Sequence, residues 1–468
     1  MKLIMKLAAV VGALTISTAA TGALAATADG TQDLTFGTSG VASAPGTQEG
    51  DGIRGLVVQP SGKIVALGYW ATPGYSHGWN YHAARFNSDG SLDTSFGNSG
   101  IYDADISGRH DVPRGYAVQS NGTIVIGGDI EYNGSANYRA TLTRITADGN
   151  VDPTFANNGV WIDNRDIRSN LLRMVALPND KLLITGRDGD YSRAWALRLN
   201  ADGSVDTSFG TAGYVYFDDN GSEKLGVGVF VDSSGKAVVA GTNGSSAWIY
   251  RLTSNGTLDS TFGTGGEKTY SLAGSEVSIT SVLKAETGYV VTGSIRKGTT
   301  GKKNILALKI TQNGTLDASF GTAGISLVTP SDSAEISGIA STISSNGILY
   351  ISGVRDASGT TTGSLTAIGP DGVLISDFGT GGFTFGQAAF YESLAIQDDG
   401  QVLTGGQING GFAVERFSGA NLSTSNLPEQ TGILANTGYD SMAILGFGSL
   451  VIALGASLKM LSRRQNKY

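Results

Sequence analysis

Gly90-Ser91-Leu92-Asp93-Thr94-Ser95-Phe96-Gly97-Asn98-Ser99-Gly100 is one copy of a phrase, Gly-x-Leu-Asp-x-x-Phe-Gly-x-x-Gly, that recurs seven times in this chain of 468 residues. Its phenylalanines are Phe36, Phe96, Phe155, Phe209, Phe262, Phe320 and Phe378, at steps of 60, 59, 54, 53, 58 and 58 residues. A recurrence of this length marks a modular array in which each module is one supersecondary unit.

Two further signals accompany the phrase in each period. One is an apolar, alternating segment interrupted by a polar-Gly pair and ending in glycine, as in Val57-Val58-Gln59-Pro60-Ser61-Gly62-Lys63-Ile64-Val65-Ala66-Leu67-Gly68. Its counterparts run over 122–128, 180–186, 235–241, 288–293, 347–353 and 400–406. The interruption reads as a hairpin turn between two strands. The other is a strand ending in Arg-apolar just before an Asp-Gly, as in Ala84-Arg85-Phe86-Asn87-Ser88-Asp89-Gly90. No segment of the array sustains a 3.6-residue period, so the array is all-β. Four short strands per module in seven modules describe a seven-bladed β-propeller of four-stranded blades.

The Asp-Gly hairpin fixes a register. With Ser88-Asp89-Gly90 as a three-residue loop closed by a glycine in the left-handed region, Phe86 faces Leu92 and Arg85 faces Asp93. Apolar then meets apolar and cation meets carboxylate across the strands. The same register pairs Arg144 with Asp152, Arg198 with Asp206, Arg251 with Asp259 and Lys309 with Asp317. The last copy is worn: Ala367 stands for the arginine and Ile375 for its aspartate. At the ends, Asp33 has the second half of the phrase without an Arg strand, and Arg416 has the Arg strand without what should follow. Pairing Asp33 with Arg416 closes the ring through the N-terminal strand and removes two exposed sheet edges.

The phrase resembles the delta-60 repeat, a bacterial tandem module of this length with a Gly-x-Leu-Asp-x-x-Phe-Gly core, over roughly residues 29–420. The resemblance implies a propeller-like architecture in an exported bacterial protein. It brings no catalytic residues with it.

The termini have their own grammar. Residues 1–25 read as a secretory signal: Lys2 and Lys6, an apolar stretch, then Ala23-Leu24-Ala25 as the cleavage site, with Ala26 as the first mature residue. Residues 26–420 form the propeller and residues 421–433 a linker rich in Ser, Asn and Thr. Residues 434–468 open with Leu434-Ala435-Asn436-Thr437-Gly438, continue with an uncharged apolar run over 442–458 and end with Lys459, Arg463, Arg464 and Lys467. The order resembles a sortase cell-wall sorting signal, which implies cleavage between Thr437 and Gly438 and transfer to a cell-wall peptide. The usual proline is replaced by Ala435, as in signals read by one alternative sortase class. A helix over 442–458 would span roughly 25 Å, slightly short of a full hydrocarbon core. The basic tail sets that end in the cytoplasm and the propeller outside. A single-pass anchor with the helix retained has the same topology.

Composition narrows the partners. The chain has no cysteine, 32 Lys and Arg against 40 Asp and Glu, and a net charge of −8. Disulfides and cysteine metal sites are excluded, and an acidic balance without a basic stripe argues against nucleic acid. Neither a catalytic motif nor a cofactor motif appears. A calcium-loop reading of the Asp-Gly turns fails, because it places Arg85 and Phe96 at ligand positions. His110, beside Asp103, Asp105 and Asp111, matches no metal-ligand spacing. The distinctive non-repeated stretch is Tyr69-Trp70-Ala71-Thr72-Pro73-Gly74-Tyr75-Ser76-His77-Gly78-Trp79-Asn80-Tyr81. Its aromatic side chains, Tyr69, Trp70, Tyr75, Trp79 and Tyr81, suit either a ligand-binding loop that stacks on sugars or padding between blades. The expectation is a surface-displayed, non-catalytic binding or structural module of a Gram-positive-type envelope, recognising glycan or surface protein. A propeller lyase or hydrolase acting on polysaccharide at the channel mouth is the alternative, and a pure scaffold the third.

Overall fold

The computed structural model describes residues 29–44, 52–71, 78–132, 137–165, 167–189, 193–217, 225–272, 274–298, 300–332 and 334–420. The secretory signal, the linker, the sorting motif with its apolar run, and Tyr75 lie outside the described residues. Within them the chain forms seven antiparallel four-stranded sheets, the seven-bladed propeller that the repeat requires. In blade 1 the strands are Gly52–Val58, Ile64–Ala71, Trp79–Phe86 and Ile101–Ala104, paired in sequence order. Blades 2 to 6 repeat this arrangement. Their first strands, Asp111–Val118, Ser169–Ala176, Leu225–Val231, Ser275–Lys284 and Glu335–Ile343, contact one another from blade to blade and surround the axis with Gly52–Val58 and Tyr391–Ile396.

Blade 7 joins the two ends of the chain. Its strands Tyr391–Ile396, Val402–Ile408 and Gly411–Phe417 are completed by Val41–Ser43, with Val41 opposite Glu415 and Ser43 opposite Ala413. The Asp-Gly hairpin is rebuilt across the break. In blade 1 Asn87 N donates to Ser91 O at 2.8 Å, Gly90 N to Asn87 O at 2.9 Å and Asp93 N to Arg85 O at 2.8 Å. At the closure Ser418 N donates to Thr31 O at 2.9 Å, Gly30 N to Ser418 O at 3.1 Å and Asp33 N to Arg416 O at 2.8 Å. The ring is therefore cut inside a turn, and every strand is whole.

One irregularity recurs in all seven inner strands. Each carries a β-bulge at the same level, at Arg54, Arg114, Leu172, Val227, Thr280, Ile339 and Glu392. A bulge re-aims the extra residue and bends the strand. It also draws the inner strand's carbonyl onto a glycine inside the second strand, which runs on beyond it. A Cβ on Gly68, Gly128, Gly186, Gly293, Gly353 or Gly406 would stand 1.8–2.3 Å from that oxygen. The periodic glycine read above as a strand end thus marks the bulge beside it.

Candidate functional site

An antiparallel meander sends its turns to one face and its remaining connections to the other. The turns after the first and third strands share one face: Gln59 Nε2, in the first turn of blade 1, donates to Ala147 O in the Asp-Gly turn of blade 2 at 3.1 Å. The links between second and third strands and between blades occupy the opposite face, here the loop face.

The turn face is built by the repeated phrase. Nitrogen–oxygen distances are 2.6 Å for Arg85–Asp93, 3.0 Å for Arg144–Asp152, 2.6 Å for Arg198–Asp206, 2.8 Å for Arg251–Asp259, 3.3 Å for Lys309–Asp317 and 2.6 Å for Arg416–Asp33. The same arginines reach the next blade: Arg85 Nη1 donates to Ala147 O at 2.7 Å, Arg144 Nη1 to Ala201 O at 2.5 Å and Arg416 Nη1 to Ser88 O at 2.6 Å. Each guanidinium also covers its own phenylalanine, with Arg85 5.0 Å from the Phe96 ring centre. The residue after that phenylalanine donates to the next blade's Asp-Gly turn, as Gly97 N does to Asp148 O at 2.8 Å. Lys63, Lys181 and Lys236 add a second cation to Asp93, Asp206 and Asp259. Burial raises the Asp93 carboxyl, but hydrogen bonds from Lys63, Ser95 and Arg85 outweigh it and hold it well below the usual range. These groups satisfy one another, so the phrase is a latch between blades.

Blade 6 latches differently. With Ala367 and Ile375 in the paired positions, Tyr350, opposite Ala367, packs on Phe378 at 5.9 Å, and its hydroxyl accepts Ala420 N at 2.6 Å.

The loop face carries what does not repeat. Tyr69 and Trp79 are half-buried, 5.3 Å apart, and Trp79 lies 5.3 Å from His110. Trp70 packs edge-on to the buried His82 at 4.3 Å, and His82 meets Phe412 of blade 7 at 5.5 Å. Tyr81 is wholly buried, its hydroxyl 3.4 Å from Thr141 O of blade 2. The aromatic stretch therefore divides: Tyr69 and Trp79 form a half-buried pair between Arg54 and His110, Trp70 packs on His82 of its own blade, and Tyr81 reaches the next blade. His110 has no metal company, since no group of three or more His, Asp or Glu is placed to hold a metal among the described residues. Asp111 is committed to its own loop, accepting from Ile106 N at 2.5 Å and Ser107 Oγ at 2.5 Å.

Tyr69 connects the aromatic patch to the axis, because the Arg54 guanidinium stands 5.0 Å from its ring centre. Arg54 Nη1 is bonded to Glu392 Oε1, joining blades 1 and 7. Arg114 Nε is bonded to Asp129 Oδ2, and Asp129 also accepts Leu171 N at 2.8 Å and Asn170 Nδ2 at 3.0 Å. Arg173 Nη1 donates to Leu172 O at 2.6 Å. Burial raises the Glu392 carboxyl against the opposing pull of Arg54. Burial, then Arg54 and Arg114, push the Arg173 guanidinium down to about 9. Around the rest of the axis the bulges supply Leu172, Thr280 and Ile339, so the charges gather on one side. Sequence reasoning missed this cluster, since the residue at the bulge changes around the ring and is arginine in two blades alone.

A family model described as "Domain of unknown function (DUF5122) beta-propeller" matches residues 59–96, 119–155, 177–209 and 233–262. Each matched segment runs from a first-strand turn to the phenylalanine of the phrase. No curated protein matches the chain. Among solved structures, the chain is similar to a catalytically inactive virginiamycin B lyase from Staphylococcus aureus with quinupristin, at 12% identity, covering 81% of this chain and 98% of that one, with a TM-score of 0.47. A Lactobacillus plantarum protein is similar at 12% identity, covering 76% and 96%, with a TM-score of 0.42. The β-propeller domain of the Trilobed protease from Pyrococcus furiosus is similar at 9% identity, covering 79% and 94%, with a TM-score of 0.43.

Proposed function

We propose that this propeller is an exported, surface-displayed binding module that takes a glycan on its loop face, at the axis-side patch of Tyr69 and Trp79. The division between the faces carries the reading. The turn face is occupied by latches that satisfy one another, whereas the loop face holds aromatic side chains that no repeat demands. Half-buried aromatic rings beside fixed polar groups suit the stacking of sugars. Ala420 leaves the ring beside Tyr350 on the turn face. A tether continuing from there to a wall or membrane anchor holds the turn face inward and the loop face outward.

The test is retention of envelope polysaccharides by the intact protein on an affinity gel. Trp79→Ala abolishes retention, while Asn98→Ala, at an exposed turn-face position, leaves it unchanged. The opposite pattern sinks the reading. Intact mass of the wall-released protein tests display: the expected chain begins at Ala26 and ends at Thr437 joined to wall material, and a chain reaching Tyr468 in the membrane fraction removes sortase from the account. A second reading, a polysaccharide lyase, draws on Glu392, whose carboxyl burial raises in spite of Arg54, the direction that suits a proton-transfer group. Chain cleavage by the wild type and its loss in Glu392→Gln would favour it.

A further inference from the structure

Three arginines, two of them buried, come from neighbouring inner strands on the side of the axis nearer the loop face. Arg54, Arg114 and Arg173 come from the inner strands of blades 1, 2 and 3, and two of them occupy bulge positions that re-aim side chains. Their strands are neighbours around the axis, and Arg173 Nη1 donates to Arg114 O at 3.5 Å. Two carboxylates accompany them. Asp129 is fixed by Leu171 and Asn170 and serves Arg114. Glu392 engages Arg54 through one oxygen; its Oε2 and Arg54 Nε are buried with no hydrogen-bond partner. Buried polar atoms of this kind call for a partner, and beside three guanidinium groups an anion is one that fits. All this lies in a chain with a net charge of −8, whose mean field does not favour anions. Local geometry must therefore supply any anion affinity.

We propose that the channel mouth is an oxyanion site, receiving a carboxylate, sulfate or phosphate group of the ligand between Arg54, Arg114 and Arg173. Planar guanidinium groups match such oxyanions in paired hydrogen bonds. Arg114 is the entry side, with 18% of its side chain exposed against 8% for Arg54. Glu392 acts as an internal competitor, holding Arg54 until the ligand's anion displaces it. The neighbouring Tyr69 and Trp79 then stack on the sugar that carries the anion, so the inference rests on the loop-face reading and names its ligand class as acidic.

The experiment is calorimetric titration of the full chain with inorganic phosphate, sulfate and D-glucuronate at low salt. Saturable binding is expected in the wild type. Arg173→Gln should weaken it about tenfold, and Glu392→Gln should tighten it about tenfold by removing the competitor. Circular dichroism and the urea midpoint confirm that both variants are folded. Preference for glucuronate identifies an acidic sugar as the source of the anion, and preference for phosphate a phosphate-bearing polymer. The proposal is overturned if folded wild type and Glu392→Gln both show no saturable binding, or if Arg173→Gln binds as wild type does. Should anions fail to bind while Trp79→Ala still abolishes polysaccharide retention, only this inference falls. Should anions bind while Trp79→Ala retains polysaccharide normally, the loop-face reading falls instead.

Discussion

Replacing Gly128 by alanine tests what the periodic glycine is for. Its φ is not positive, so alanine is not opposed by the residue's own backbone conformation. The obstacle is its surroundings: the new Cβ would lie 2.0 Å from Val112 O, 2.7 Å from Pro113 Cα and 2.8 Å from the Tyr81 hydroxyl. Relief requires the inner strand to retreat by about 1 Å, which stretches a backbone hydrogen bond beyond its useful range. Two such bonds flank the bulge. Losing them, with buried groups left unsatisfied, costs about 3–5 kcal/mol in all. Gly115 is the matched control. It lies on the facing strand of the same blade, also without a positive φ, and its Cβ would meet Arg173 Cα at 3.6 Å, an ordinary contact. Alanine there should be neutral or stabilise by about 0.4–1 kcal/mol through the unfolded chain. Urea unfolding followed by far-ultraviolet circular dichroism measures both. A Gly128→Ala unfolding free energy within about 1 kcal/mol of wild type would refute the bulge argument.

Other outcomes follow from the latches. Arg416→Ala and Arg198→Ala remove similar partly exposed ion pairs and ring contacts, each costing about 2 kcal/mol after solvent screening. Only Arg416→Ala should speed hydrogen exchange at Asp33 and Val41, because only there is the partner strand held without a covalent turn; equal exchange in both variants would contradict this. Tyr350→Phe removes the acceptor of the buried Ala420 N and should lower stability by about 1–2 kcal/mol in the same urea assay, whereas an unchanged midpoint would deny the substitute latch. Asp33, Asp93, Asp152, Asp206, Asp259 and Asp317 are all held below their ordinary 3.8. Carboxyls lowered on folding contribute stability that is present above the unfolded value and lost as pH falls through the folded one. The urea midpoint should therefore drop steeply below about pH 4, and Asp93→Asn should flatten that drop.

The fold was legible because its determinants repeat. Arg85 and Asp93, eight residues apart in one hairpin, can be placed opposite each other from turn chemistry alone, and the half-phrases at Asp33 and Arg416 announce their own union. The second cation was harder to see, since Lys63, Lys181 and Lys236 recur in three blades while Thr123, Tyr289, Ile348 and Gln401 stand in the others. Tyr81 looked like a loop residue because strand Trp79–Phe86 extends further from the Arg-apolar signal than that signal reveals. The channel mouth was hidden for a deeper reason. Its level is set by bulges, whose visible trace is a glycine on the neighbouring strand, and its chemistry lies in residues that differ from blade to blade. A site gathered from Arg54, Arg114, Arg173 and Glu392 has no contiguous signature.

The cut inside a turn also sets an order in time. Asp33 and Arg416 are separated by 383 residues, whereas the other latch pairs lie eight apart. For a flexible chain that difference adds about 3 kcal/mol of closure entropy, so early pairing of the ends is disfavoured. Blades 1 to 6, once assembled, bring the ends side by side and so remove this cost. Among the described strands the first in the chain, Val41–Ser43, is thus the one whose sheet is completed by the latest residues. A chain whose final blade is not yet in place would be an open arc with two unpaired edges, the form most prone to join with a second copy of itself.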